Sequence, residues 1–193
     1  YSIVGPSGSG KSSLLNLLSL IDTPSSGTIE IKNNKINFEN KIKNDNIRAK
    51  NIGIIYQDKN LLSDFTAIEN VYLSNLLLSN DKNSSINIAK KIIKKVGLSS
   101  RINHYPSELS GGENQRIAIS RALINQPEII LADEPTGSLD FENAKQIFKI
   151  LFSLKNKNRI IIFATHNRYF ANMADCKIKM IGGKMKLTNE RII

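Results

Sequence analysis

Residues 5–12 of this chain read Gly5-Pro6-Ser7-Gly8-Ser9-Gly10-Lys11-Ser12. They fit the pattern G-x-x-x-x-G-K-[ST], in which backbone N–H groups converge on the phosphates of a nucleotide. The apolar residues 1–4 before this loop predict the end of a strand, and Lys11–Leu20 after it predicts an amphipathic helix. The N-terminus of that helix adds its positive dipole end to the phosphate site. A strand, a phosphate loop and a helix in this order indicate an α/β fold.

Each polar side chain of the loop has an expected task. Lys11 pairs with the β- and γ-phosphates, the Ser12 hydroxyl ligates Mg²⁺, and Ser13 reaches towards the α-phosphate. We expect the glycines to adopt backbone conformations that are closed to residues with side chains. The candidate nucleotide-binding residues of this region are Gly5, Pro6, Ser7, Gly8, Ser9, Gly10, Lys11, Ser12 and Ser13.

Two acidic residues end the apolar run 129–132, which reads as a buried strand. The end of such a strand faces the crevice in which ligands bind. We expect Asp133 to hold the hydration shell of Mg²⁺ and Glu134 to polarise the attacking water as general base. The alternative, that two acids simply end a strand, is disfavoured because the turn 135–137 (Pro-Thr-Gly) fixes the direction of the pair.

The remaining pattern alternates strands with helices, which predicts a mostly parallel sheet flanked by helices in a single domain over residues 1–193. Residues 58–115 carry helical patterns, so we expect an inserted helical subdomain there. Thr66 and Glu69 form a capping-box pattern at one of its helices. The predicted strands are 1–4, 28–31, 52–56, 128–132, 159–164 and 176–181, followed by a short last strand after Gly182-Gly183. The predicted helices are 11–20, 66–78, 84 or 85 to 96, 111–125 and 140–154, and the polar stretch 33–50 is looped or partly helical.

A third glycine-containing turn lies at Ser110-Gly111-Gly112 and precedes a helix, so it also offers N–H groups to an anion. The order of phosphate loop, this turn and the acidic strand end resembles the nucleotide-binding domain of ATP-binding cassette (ABC) proteins over nearly the whole chain. The resemblance implies a P-loop NTPase that binds and hydrolyses ATP with Mg²⁺. It also implies that two copies dock head to tail, each Ser110 turn covering the nucleotide of the other, with Asp140 at the seam.

Two further site residues follow from the resemblance. Gln57, after the strand 52–56, matches the family's glutamine that contacts Mg²⁺ and the attacking water; without the resemblance it would be read as a surface residue. His166, after the strand 159–164, matches the family's switch histidine, which bonds the γ-phosphate and the nearby acid. The family places an adenine-stacking aromatic residue upstream of the phosphate loop, so we expect the N-terminal strands of this chain to be truncated.

Residues 61–71 (LLSDFTAIENV) and 131–140 (LADEPTGSLD) resemble the branch that includes lipoprotein-releasing, macrolide-export and cell-division ATPases. The first stretch is most similar to the lipoprotein-releasing ATPases. That implies a peripheral ATPase at the cytoplasmic face of a bacterial inner membrane, bound to two integral membrane subunits. The alternatives are the other members of the branch, an ABC ATPase that acts on DNA or ribosomes, or a small-molecule kinase. A long coiled coil between the phosphate loop and the Ser110 turn would favour an ABC ATPase that acts on DNA, and a second cassette would favour one that acts on ribosomes. A small-molecule kinase would not need the Ser110 turn.

Composition narrows the class of protein less than the motifs do. The 27 basic and 17 acidic residues give a net charge of +10, which fits an anionic membrane surface, a nucleic acid, or a compositional bias. Bias is supported by 30 isoleucines against 3 valines, a pattern typical of A+T-rich coding. Because the lysines are scattered and not interleaved with aromatic residues, we expect no nucleic-acid partner. The single cysteine, Cys176, excludes an internal disulfide.

Overall fold

The computed structural model describes residues 1–188; residues 189–193 of the predicted domain lie outside the described part. The chain forms a six-stranded sheet with helices on both faces and a two-stranded hairpin. A further group of helices lies between the second and third strands of the large sheet, counted along the chain. In chain order the elements are β1 (Ser2–Val4), α1 (Lys11–Leu18), β2 (Glu30–Ile31), β3 (Asn34–Lys35), α2 (Lys41–Asn51), β4 (Ile52–Ile55), α3 (Ala67–Ser79), α4 (Lys82–Lys95), α5 (Gly111–Leu123), β5 (Ile129–Asp133), α6 (Phe141–Ser153), β6 (Ile160–Ala164), α7 (Arg168–Ala171), β7 (Lys177–Ile181) and β8 (Lys184–Thr188).

The large sheet has the strand order β4-β5-β6-β1-β7-β8. All neighbouring strands from β4 to β7 pair in parallel, and β7 pairs with β8 antiparallel. The prediction of a mostly parallel α/β sheet is therefore confirmed. Since β1 lies between β6 and β7, with β5 next beyond β6, the loop that follows β1 stands at the carboxyl edge of the sheet, near the ends of these strands.

Burial on both faces explains why the central strands are continuously apolar. In β5, Ile130 and Ala132 face the side covered by α6, where Phe148 belongs to the same core cluster. Leu131 points to the other face and shares a core cluster with Leu15 of α1. Each of these core side chains is at most 5% exposed, so the strand ends are fixed by packing from above and below.

A separate core holds the helices between β4 and β5. Val71 of α3, Ile93 of α4 and Ile117 of α5 are fully buried in it. Helix α5 also contributes Ile119 to the core under the sheet. This helix therefore joins the two packing units, while the subdomain division at residues 58–115 stays a prediction.

Several predicted bounds differ from the structure. Helix α1 ends at Leu18, two residues early, because Leu20 has a left-handed φ of 61°. Helix α4 begins at Lys82 and not at Ser84 or Ser85, because the Asp81 carboxylate accepts a hydrogen bond from the Ser84 N–H as its N-cap. The polar stretch 33–50 contains a strand, β3, as well as most of α2, and the one-turn helix α7 was not predicted.

The predicted capping box of α3 is confirmed by the hydrogen bonds between Thr66 and Glu69. Within residues 1–188, the structure shows no helix with the length and apolar character that a bilayer crossing requires.

Candidate functional site

The phosphate loop folds as its glycines require, with one correction. Gly8 and Gly10 have φ of 72° and 99°, in the left-handed region that residues with side chains rarely adopt. Gly5 has no such φ, so the prediction that its conformation demands glycine is wrong. A Cβ at Gly5 would lie 2.2 Å from the Met180 carbonyl oxygen and 2.7 Å from Ser9 Oγ. Close packing of the loop on β7, and not backbone conformation, therefore requires glycine at position 5.

A cavity of about 410 Å³ opens at the carboxyl edge of the sheet. It brings together side chains that the sequence separates by more than 150 positions, from the phosphate loop, from the ends of β4 and β5, and from the loop after β6. Ten predicted site residues line it: Ser7, Gly8, Gly10, Lys11, Ser12, Ser13, Gln57, Asp133, Glu134 and His166.

The other three residues of the predicted loop set, Gly5, Pro6 and Ser9, do not line this cavity but support the loop around it. Lys11 Nζ donates to the carbonyl oxygens of Gly5 and Pro6, at 3.0 Å each. The Ser9 side chain is buried, and its hydroxyl has no hydrogen-bond partner within the described part of the chain. The lysine is thus held at the loop, where its positive charge adds to that of the helix α1 N-terminus.

Glu134 is held in a strained position directly after β5. Its φ of 43° is left-handed, and such a conformation in a residue with a side chain costs about 1–3 kcal/mol. Two backbone hydrogen bonds of 3.0 Å maintain it: Glu134 N–H donates to the Ala164 carbonyl, and Gly137 N–H donates to the Glu134 carbonyl. The carboxylate is 14% exposed, and its Oε2 lies 3.0 Å from Nδ1 of His166, which is 72% exposed. With this backbone conformation the carboxylate lies at the cavity, next to the imidazole.

Gln57 enters the cavity from the end of β4. Its amide lies against Gly137, where a Cβ would stand 3.3 Å from Gln57 Nε2. Ser12 and Asp133 line the same cavity, so a hydroxyl, an amide and a carboxylate converge there. Oxygen ligands of this kind suit Mg²⁺, which also keeps bonds to phosphates and water. Within residues 1–188, no group of three or more His, Cys, Asp or Glu side chains could hold a metal ion. The donor set therefore fits Mg²⁺ that arrives with a nucleotide.

The Ser110 turn does not line this cavity. Ser110 is the exposed N-cap of α5; its hydroxyl accepts from Glu113 N–H at 3.3 Å, and its own N–H donates to Glu113 Oε2 at 2.8 Å. That backbone hydrogen bond from Ser110 lowers the pKa of Glu113. Gly112 is buried, and a Cβ there would lie 2.9 Å from Asn143 Oδ1. The turn thus presents the N–H groups of an exposed helix start, away from the phosphate loop of its own chain.

Asp140 has a task in helix α6 that the sequence analysis did not identify. As the N-cap of that helix, its carboxylate accepts from the N–H groups of Glu142 at 3.1 Å and Asn143 at 3.0 Å. Hydrogen bonds from the Asn143 side chain and backbone lower the pKa of Asp140. Because Asn143 also packs on Gly112, the structure places Asp140 next to the Ser110 turn, outside the cavity.

Three residues near the site were missed by the sequence analysis. Lys59 Nζ donates to Ser138 Oγ at 2.7 Å, which ties the loop after Gln57 to the loop after Glu134. The Arg121 guanidinium donates to the carbonyl oxygens of Lys59 at 2.7 Å and Asn60 at 2.6 Å. The signal that the sequence offered for Arg121 was a charged residue within the mostly apolar run 117–123.

Comparison with known proteins finds relatives that are ATP-binding proteins of one family. The chain matches the family model described as ABC transporter over residues 1–137. It is 43% identical over 183 residues to the lipoprotein-releasing system ATP-binding protein LolD of Cytophaga hutchinsonii, covering 94% of this chain and 84% of that protein. It is 42% identical to the protein of the same name from Rickettsia bellii, with 96% and 82% covered. A dimeric post-hydrolysis state of the ATP-binding cassette MJ0796, bound to ADP and Pi, superposes with a TM-score of 0.87 at 34% identity, covering 96% of this chain and 84% of that one.

Proposed function

Since this chain belongs to the ABC transporter family and is an ATPase of that family, we propose that its ATP hydrolysis drives the release of lipoproteins from a bacterial inner membrane. The observation that carries the proposal is the identity of 41–44% to several proteins named for lipoprotein release, over most of both chains. The stretch 61–71, which resembles that branch, supports it from within the sequence.

In the proposed reaction Glu134 acts as general base. Its carboxylate accepts a proton from water, the water oxygen bonds to the γ-phosphorus, and the bond from phosphorus to the bridging oxygen breaks to release ADP and phosphate. His166, 3.0 Å from the carboxylate, holds it in position and contacts the γ-phosphate. Lys11 and the N–H groups of the phosphate loop stabilise the negative charge that is shared among the phosphate oxygens.

Mg²⁺ belongs to the proposal through the donor set described above. The side chains that would hold it are Ser12, Gln57 and Asp133, all of which line the cavity. When bound, the ion neutralises phosphate charge. Gln57 additionally orients the attacking water, because its amide can both donate and accept a hydrogen bond.

We also propose that a second copy of the chain completes the site. Ser110, Gly111, Gly112 and Asp140 lie together outside the cavity of their own chain, which leaves the exposed start of α5 free to cover the nucleotide of a partner. Two solved structures of the relative MJ0796 are described as dimeric, which supports this arrangement. Isolated copies are then expected to be poor ATPases.

The remaining partners are two integral membrane subunits, with the chain bound peripherally at the cytoplasmic face of the membrane. The net charge of +10 is compatible with that surface. The test is purification of the tagged protein from membranes and mass spectrometry of the associated subunits. Recovery of lipoprotein-sorting subunits is the expected result.

A second measurement addresses the activity itself. The purified complex in proteoliposomes is expected to release a lipoprotein with ATP and to fail when Glu134→Gln replaces the parent subunit. Recovery of macrolide-export or cell-division membrane subunits instead would move the protein to another member of its branch. Salt-sensitive binding to duplex DNA or ribosomes without a membrane subunit would reject a role in transport.

A further inference from the structure

The loop that carries Gln57 contains a turn built from two left-handed residues. Lys59 and Asn60 are consecutive residues with left-handed φ, 57° and 47°. Neither is glycine, and two such residues in a row persist when surrounding contacts hold them. The turn starts two residues after Gln57, so a shift of the turn would move the backbone that carries the Gln57 side chain.

Helix α5 supplies contacts on both sides of Gln57. Arg121 donates from two nitrogens to the carbonyl oxygens of Lys59 and Asn60, at 2.7 and 2.6 Å. On the other side, Gln115 Nε2 donates to the Tyr56 carbonyl at 3.4 Å, and Gln115 is 1% exposed. The planar fork of a guanidinium fixes both the distance and the direction of its acceptors, which an ammonium does not do.

The environment of Arg121 strengthens this contact. Burial lowers the pKa of its guanidinium, and Tyr56 opposes that shift. None of the ion pairs formed within residues 1–188 includes Arg121. Its guanidinium instead makes short hydrogen bonds to the two carbonyl oxygens. In a partly buried site, hydrogen bonds from a charged donor are stronger than those at an open surface.

A second contact holds the same turn from the opposite direction. Lys59 Nζ donates to Ser138 Oγ at 2.7 Å. Gly137, the neighbour of Ser138, is the residue against which the Gln57 amide packs. The turn is thus anchored to α5 through its carbonyls and to the loop after Glu134 through the Lys59 side chain.

We propose that Arg121 is a positioning residue for Gln57, with Lys59 as a second anchor: together they fix the turn 59–60 so that the Gln57 amide faces Ser12 and Asp133. This inference rests on the proposed role of Gln57. Arg121 touches neither nucleotide nor water in this role, and its effect passes through the loop.

The first test is hydrogen–deuterium exchange of the nucleotide-free protein, which does not depend on activity. Arg121→Lys keeps the charge but cannot hold both carbonyls in one plane, so amide exchange in residues 56–60 is expected to rise about tenfold. The matched control is Arg159→Lys. Arg159 also donates to two carbonyls, those of Pro127 at 2.9 Å and Leu154 at 3.0 Å, but precedes β6 at the opposite edge of the sheet. It is expected to leave exchange at 56–60 unchanged.

The second test is a double-mutant cycle on ATP hydrolysis in the dimer-forming protein. Arg121→Lys is expected to lower kcat about tenfold and to raise the Mg²⁺ concentration for half-maximal rate, the same two effects that are expected of Gln57→Ala. In the Gln57→Ala background, Arg121→Lys should then add almost nothing, because the side chain that it positions is gone. Arg159→Lys should keep the parental kcat.

The outcomes separate the two claims. Unchanged exchange at 56–60, or a full additional loss of kcat in the Gln57→Ala background, would overturn the positioning role of Arg121. Increased exchange together with a parental rate for Gln57→Ala would instead refute the role proposed for Gln57. If Arg121→Lys does not fold, Lys59→Met removes the anchor to Ser138; the same rise in exchange is expected, and no rise would count against the inference.

Discussion

Glu134 and His166 show how the site is set at the scale of single residues. The left-handed φ of Glu134 is tolerated because two backbone hydrogen bonds hold it, one of which closes the turn to Gly137. The resulting direction brings a carboxylate that is 14% exposed to within 3.0 Å of an imidazole nitrogen. A general base needs this combination, since it must be fixed near the water that it deprotonates.

Replacement of the general base is the sharpest test of that assignment. Glu134→Gln keeps the side-chain shape but removes the proton acceptor, so ATP binding is expected to persist while turnover falls about 10²- to 10⁴-fold. Single-turnover phosphate release and equilibrium ATP binding, measured side by side, check both parts. Hydrolysis at the parental rate would show that Glu134 is not the base.

We expect Lys11 to contribute mainly to the binding of ATP. Its ammonium is held at the loop by two carbonyls at 3.0 Å. Removing a charged hydrogen-bond donor from a phosphate site costs about 1.5–3 kcal/mol, so Lys11→Ala should weaken ATP binding roughly 10- to 100-fold. Fluorescent nucleotide titration measures this. Binding within twofold of the parent would contradict the assignment, and Lys149→Ala, on α6, is the control.

At the scale of elements, helix starts carry much of the local information. Thr66, Asp81, Ser110 and Asp140 each begin a helix through an oxygen that accepts backbone N–H groups or through a capping box. The sequence pattern identified the cap at Thr66 but not the one at Ser110, and it placed the start of α4 too late. A cap is a contact among neighbouring residues, so a short pattern predicts it well unless two candidate caps compete.

The capping box of α3 predicts a pH-dependent contribution to stability. The hydrogen bond from the Thr66 side chain, with a second from the Thr66 backbone, lowers the pKa of Glu69 below its ordinary value of 4.5. A depressed folded-state pKa stabilises the fold above 4.5 and loses that contribution as the pH falls through the folded value. Glu69→Gln should therefore cost about 0.5–1 kcal/mol at pH 7 and progressively less on acidification.

Urea unfolding at a series of pH values between 7 and 3 measures this difference. Glu39→Gln, a substitution in the loop before α2, supplies the control for loss of an acidic side chain. A Glu69→Gln deficit that stays constant across the series would mean that ionisation of Glu69 is not linked to folding.

The arrangement of the whole molecule separates the Ser110 turn from the cavity of its own chain, and this leads to a prediction about assembly. Among residues 1–188, a Cβ at Gly111 meets just one neighbour, Leu139 Cδ2 at 3.4 Å, and a negative charge at a helix start is favourable. Gly111→Glu should therefore fold normally. In a Glu134→Gln background it should bind ATP as a single copy but fail to form the ATP-dependent dimer, because its carboxylate repels the partner's nucleotide.

Light scattering of the Glu134→Gln protein with and without ATP gives the mass. The expected result is a doubling with ATP, its loss in Gly111→Glu, and its retention in Ser84→Glu, which places the same charge on the exposed start of α4. A dimer that survives Gly111→Glu would show that the start of α5 does not cover a nucleotide.

By itself, the sequence determined the features that neighbouring residues create: the glycines of the phosphate loop, the buried strand that ends at Asp133, and the cap of α3. It also determined the family, because the three nucleotide elements occur in a fixed order. The tertiary structure alone decided that Gly5 packs on Met180, that Gln57 lies against Gly137, and that Arg121 holds the turn after Gln57. Those contacts join segments that are distant along the chain, and they arise because the strand order β4-β5-β6-β1-β7 brings the carboxyl ends of these strands to one edge. Local patterns contain no information about which strands become neighbours, so the packing that completes the site appears with the fold.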